Sequence, residues 1–92
     1  MTSYRVLLHP KALKALRSMA PKEAARVRRG LRALEGDPFT PRSGADIRRL
    51  RGTVGRQDLF RLRIGRYRAV YAVAGKEVLV TDLFERGAGY DV

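Results

Sequence analysis

At 92 residues the chain is read as one domain, residues 1–92, and a fold of this size buries only about 60–65% of the surface its unfolded chain exposes. Hydrophobic residues make up 45%, which argues against wholesale disorder, while 20 Lys and Arg stand against nine Asp and Glu for a net charge of +11. With no Cys and one His (His9), disulfide frameworks, thiolate nucleophiles and His- or Cys-based metal sites drop out.

The opening run from Tyr4 to Leu8 is β-prone and stops at His9-Pro10. Pro10 suits the first position of a helix, where its missing N–H costs nothing. Lys11 to Ala20 then sets Leu13, Leu16 and Ala20 on one side, the pattern of a short amphipathic helix. Pro21 breaks it and opens a second helix, Lys22 to Glu35, in which Ala24, Val27, Leu31 and Leu34 recur at helical spacing. Arg26, Arg28, Arg29 and Arg32 cover its remaining surface and read as a solvated face. Gly36 is expected as a left-handed cap, with Asp37-Pro38 as the stop. His9 reads as structural.

Residues 37–57 read as a loop holding one short strand, Ile47 to Leu50. A meander follows. Phe60, Leu62 and Ile64 alternate with Leu59, Arg61 and Arg63, and Gly65-Arg66 makes a turn. In the next strand Tyr67, Ala69, Tyr71 and Val73 share one face, with Arg66, Arg68, Val70 and Ala72 on the other. After Gly75-Lys76, the run Val78 to Phe84 is apolar on both sides apart from Thr81 and Asp82, as befits an interior strand. The expected fold is α+β, in the order β-α-α-β-β-β-β. Its helical hairpin should pack on one face of a mainly antiparallel twisted sheet. Apolar runs fall far short of the ~20 residues that span a bilayer, and no apolar leader opens the sequence, so a cytoplasmic protein is expected.

Charge is not spread evenly. Residues 42–68 hold nine Arg and two Asp, a net +7, whereas residues 69–92 carry a net −2. Arg61 and Arg63 leave the same side of one strand and Arg68 leaves the matching side of the next, so the three can converge away from the helices. Like charges gathered on a sheet destabilise the free protein, and a bound phosphate backbone would offset that. The plainer reading is a solvated sheet face. A polyanionic partner is expected: nucleic acid first, an acidic protein or membrane surface as the alternatives. Within the basic segment, Arg48, Arg49, Arg51 and Arg66 are the candidate nucleic-acid contacts.

The run Leu59-Phe60-Arg61-Leu62-Arg63-Ile64-Gly65-Arg66-Tyr67-Arg68-Ala69-Val70-Tyr71 resembles the core of RelE-type toxins of the RelE/ParE toxin–antitoxin superfamily. Tyr4-Arg5-Val6, Lys11-Ala12-Leu13-Lys14, Leu34-Glu35-Gly36-Asp37-Pro38 and Leu50-Arg51-Gly52 extend the resemblance over nearly the whole chain. It implies a RelE-like fold and a ribosome-dependent endoribonuclease that cuts mRNA in the A site and is restrained by a cognate antitoxin. No metal, no other cofactor and no membrane are implied. By position, Arg61, Arg63, Arg68, Arg86 and Tyr90 match the family's catalytic set. A gyrase inhibitor of the ParE kind and a non-catalytic RNA-binding module are the rival readings.

In such an enzyme the 2′-hydroxyl of the RNA attacks the neighbouring phosphorus, so the protein must align it and neutralise the phosphorane. Arg68 and Arg61 are expected to do the neutralising, Arg63 to hold the flanking backbone and Arg86 to stabilise the leaving oxygen. Arginine stays protonated at every relevant pH and supplies no general base. That leaves Tyr90, which either accepts a proton or stacks on a base.

Overall fold

The computed structural model describes residues 3–50 and 58–87. Its elements follow in the expected order: β1 (Arg5–Leu8), α1 (Pro10–Arg17), α2 (Pro21–Gly36), β2 (Asp46–Arg49), β3 (Leu59–Ile64), β4 (Tyr67–Ala74) and β5 (Glu77–Glu85). They form a five-stranded sheet in the order β1-β5-β4-β3-β2. The chain crosses the helical layer from one sheet edge to the other, and the β2–β5 meander returns. Hence β5 lies parallel beside β1, while every other pairing is antiparallel.

Proline sets the helix boundaries. Each residue before a proline is driven extended, and His9 (ψ 147°) and Ala20 (ψ 148°) are both so. Thus α1 ends at Arg17 rather than Ala20, because Ala20 must leave the helix to introduce Pro21. His9 caps α1: its Nδ1 accepts from the Lys11 N–H at 3.1 Å. Gly36 departs from expectation. It stays helical without a positive φ, and Asp37 ends α2 by turning extended (φ −156°). Asp37 then accepts from the N–H groups of Phe39 (2.8 Å) and Thr40 (3.1 Å), while Arg42 donates to the carbonyls of Ala33, Asp37 and Thr40. An arginine therefore closes the α2 C-terminus, where orphan carbonyls favour a cation.

The core is the contact layer between helices and sheet. Leu16, Ala24, Val27, Leu31 and Leu34 meet Leu62, Ile64, Tyr67, Ala69, Tyr71, Val78, Val80 and Leu83. Tyr71 is fully buried, stacks on Phe60 at 5.6 Å and donates its hydroxyl to the Pro38 carbonyl at 2.8 Å. Gly30 explains how α2 comes so near β3: a Cβ there would stand 2.7 Å from Ile64 Cδ1 and Cγ1. Gly65 (φ 57°) and Gly75 (φ 60°) open two-residue hairpin turns at the position where left-handed backbone is required. A bulge at Thr81 breaks the β4–β5 register. Because Val80 and Leu83 lie on opposite sides of it, both reach the core despite an odd spacing, which explains the apparent two-sided hydrophobicity of this strand.

Candidate functional site: an arginine face on the open side of the sheet

Alternation sends half of the meander away from the helices, and among the described residues no helix covers that side. In register, Asp46 lies opposite Arg63, Arg48 opposite Arg61, and Arg63 opposite Arg68. β2, β3 and β4 therefore gather Arg48, Arg61, Arg63 and Arg68 on one surface, with Asp46 among them. The convergence expected for Arg61, Arg63 and Arg68 is what the register produces.

Burial separates these arginines into two kinds. Arg48 and Arg63 are exposed, whereas Arg61 retains 7% and Arg68 8% of its accessible surface. Arginine is almost never buried to this extent without a partner. Here Arg61 Nε and Nη1 and Arg68 Nη1 lack any hydrogen-bond acceptor among the described residues. Asp46 Oδ1 stands 3.5 Å from Arg61 Nη1, close enough for a charge contact and too far for a good hydrogen bond. The pKa of Arg68 is lowered, first by burial and then by the charges of Arg63, Arg61 and Arg86, with Asp46 acting in the opposite sense. Arg86 is thus within electrostatic reach of the cluster. Its backbone N–H donates to the Arg66 carbonyl at 2.6 Å, tying the end of β5 to the β3–β4 turn.

Two other candidates are engaged elsewhere. Arg49 lies on the opposite side of β2 and pairs with Asp58 at 2.7 Å. Arg66 reaches Glu23 of α2 at 3.3 Å and Glu85 at 3.5 Å, and its guanidinium sits 5.5 Å from the Tyr67 ring centroid. Arg51 and Tyr90 lie outside the described residues. Asp46 was not among the expected site residues, although period-two alternation places it beside Arg48. Buried, acceptor-free guanidiniums facing an open surface can do one thing well: they can take up an oxyanion whose oxygens complete their hydrogen bonds.

Geometry alone defines a small, strongly basic α+β protein that presents arginines on the uncovered face of its sheet. The family model for the ParE toxin of the type II toxin–antitoxin system parDE matches residues 6–88. A chain of the archaeal RelE–RelB complex from Pyrococcus horikoshii superposes with a TM-score of 0.78 at 36% identity, over 96% of this chain and 100% of that one. The RelE1 protein of Methanocaldococcus jannaschii, a toxin by its name, is 26% identical over 89 residues, 95% of this chain and 94% of its own. The toxin–antitoxin complex RelBE2 from Mycobacterium tuberculosis shares the fold, with a TM-score of 0.75 at 22% identity over 94% of each chain. The chain belongs to the RelE/ParE family of toxins from type II toxin–antitoxin systems.

Proposed function

We propose that this toxin inhibits translation in the cytoplasm as a ribosome-dependent endoribonuclease acting on mRNA in the A site. The observation that carries the reading is Arg61 and Arg68, both buried on the open face of neighbouring strands, with guanidinium N–H groups lacking acceptors among the described residues. A phosphodiester supplies those acceptors, and a phosphorane supplies more negative charge still, so the pair favours the transition state over the ground state. In the reaction the RNA 2′-oxygen bonds to phosphorus as the bond to the 5′-oxygen breaks. Arg61 and Arg68 neutralise the non-bridging oxygens, Arg63 and Arg48 hold the flanking backbone, and Arg86 stabilises the departing oxygen. Tyr90, matched by family resemblance, is the residue assigned to proton transfer or base stacking. A site of this composition has no strong base of its own, which makes dependence on a ribosome-bent substrate reasonable.

The relative at 36% identity comes from a complex of toxin with antitoxin. A +11 domain with an uncovered arginine face suits a clamp of opposite charge, so a cognate acidic antitoxin is assigned as partner. The matching family model is that of the ParE toxin of parDE, and the second reading is therefore the one the ParE resemblance implies, inhibition of DNA gyrase without chemistry on RNA.

A translating extract distinguishes the two. Cleavage of mRNA within codons on ribosomes, with no DNA breaks, is the expected result. Intact mRNA accompanied by DNA breaks would overturn it in favour of gyrase. Tyr90→Phe then divides the assigned roles: a large rate loss means the hydroxyl acts, and a small one means the ring stacks.

A further inference from the structure

The arginine face contains one carboxylate that does not belong to a binding site for anions. Asp46 opens β2 directly opposite Arg63, and its Oδ1 approaches buried Arg61 Nη1 at 3.5 Å. Among the carboxylates of the described residues, Asp46 is the one whose charge acts on Arg68. Five others are engaged away from the cluster: Asp58 by Arg49, Asp82 by Lys11, Glu23 and Glu85 by Arg66, and Asp37 by the backbone at the end of α2. Glu35 lies on α2, and Glu77 opens β5 opposite Arg5 of β1. The side chain of Asp46 remains 58% exposed while that of Arg61 is 8% exposed. One partner of the pair is fixed in the sheet and the other is free to swing into solvent. The contact is also too long to satisfy the Arg61 donor.

We propose that Asp46 is a resident counter-ion of the arginine cluster, which a phosphate group displaces from Arg61 on binding. The carboxylate then sets a trade-off: it relieves repulsion in the free fold and lowers the affinity of the occupied site. The inference rests on the phosphate-binding reading of the cluster, and it names the residue that regulates that site. Removing the solvent-exposed carboxylate of this long contact is worth about 1 kcal/mol, which corresponds to about five-fold in affinity.

The test uses the full chain with Asp46→Asn, Asp46→Ser as a second charge-removing change, and Asp58→Asn as a matched loss of one negative charge away from the cluster. Thermal melting in rising inorganic phosphate reads the site without RNA. Fluorescence anisotropy with a short 2′-O-methyl RNA, which lacks the attacking hydroxyl, reads the polyanion. Both Asp46 variants should melt lower than the parent without phosphate, gain more from phosphate, and bind the oligonucleotide about five-fold more tightly. Asp58→Asn should show neither gain. Equal gains for Asp58→Asn would reduce the effect to bulk charge, and unchanged or weaker phosphate response in both Asp46 variants would make Asp46 part of the binding geometry; either result overturns the proposal. Enhanced phosphate response without oligonucleotide binding by any form would uphold the counter-ion and overturn the RNA reading alone.

Discussion

The two faces of the sheet handle polar groups in opposite ways. On the helical side Tyr71 is fully buried, yet its hydroxyl finds the Pro38 carbonyl and its ring stacks on Phe60. On the open side Arg61 and Arg68 are nearly as buried, and among the described residues their guanidiniums are left wanting acceptors, beside other cations. A satisfied buried polar group specifies the fold, and an unsatisfied one costs about 1–3 kcal/mol or more if charged. On the proposed function, the difference separates a face built for stability from one built for a ligand that arrives later.

If that division is right, Arg68→Ala has the largest effect, and on activity alone. Ribosome-programmed cleavage should fall about 10²–10³-fold, while Tm stays level or rises because one unpaired charge has gone. A collapsed melting transition would make Arg68 structural and erase the contrast.

Tyr71→Phe should do the reverse. It strands the Pro38 carbonyl, so stability should drop by about 1–2 kcal/mol, or roughly 5–10 °C in Tm, with cleavage per folded molecule unchanged.

The pH dependence sharpens the same point. Burial raises the pKa of Tyr71 above the ordinary value near 10, so the unfolded chain releases this proton first. Its contribution is complete below that value and is lost as pH climbs beyond it, a slope that Tyr71→Phe should abolish in alkaline melting curves. Asp37 works at the other end. Hydrogen bonds from Thr40 and Phe39 hold its carboxyl below the usual range, so its contribution is present above about pH 4 and lost on further acidification. Asp37→Asn should flatten the acid limb.

The smallest changes belong to the arginines already paired. Arg49→Ala and Arg66→Ala should leave cleavage within about three-fold of the parent, since exposed ion pairs contribute little and both side chains point away from the cluster. A loss approaching that of Arg68→Ala would extend the site around the sheet edge.

Most of the architecture was legible because it follows local periodicities. Helical spacing in α2, two-residue alternation in β3 and β4 and the glycine-led turns fix which side chains share a face. For the same reason the sequence alone groups Arg61, Arg63 and Arg68. What escaped depends on residues far apart in sequence. The Thr81 bulge, the parallel β1–β5 pairing and the burial of Arg61 and Arg68 are set by what neighbouring strands bring. Arg42 was counted with the basic segment, but it caps α2 because Ala33 lies within its reach only after the loop folds back. Gly36 carried a cap signal that the Asp37–Arg42 arrangement made unnecessary.

The strand order also has a kinetic consequence. Every partner in the β2–β5 meander is joined by nearby chain, whereas Arg5 of β1 must find Glu77 of β5, 72 residues away. Closing so long a loop is entropically costly, so the meander should nucleate folding and β1 should dock late. Pulse-labelled hydrogen exchange should then protect β3 and β4 amides before those of β1. The arginine face, carried wholly by the early-forming strands, would take shape while the far edge of the sheet was still open.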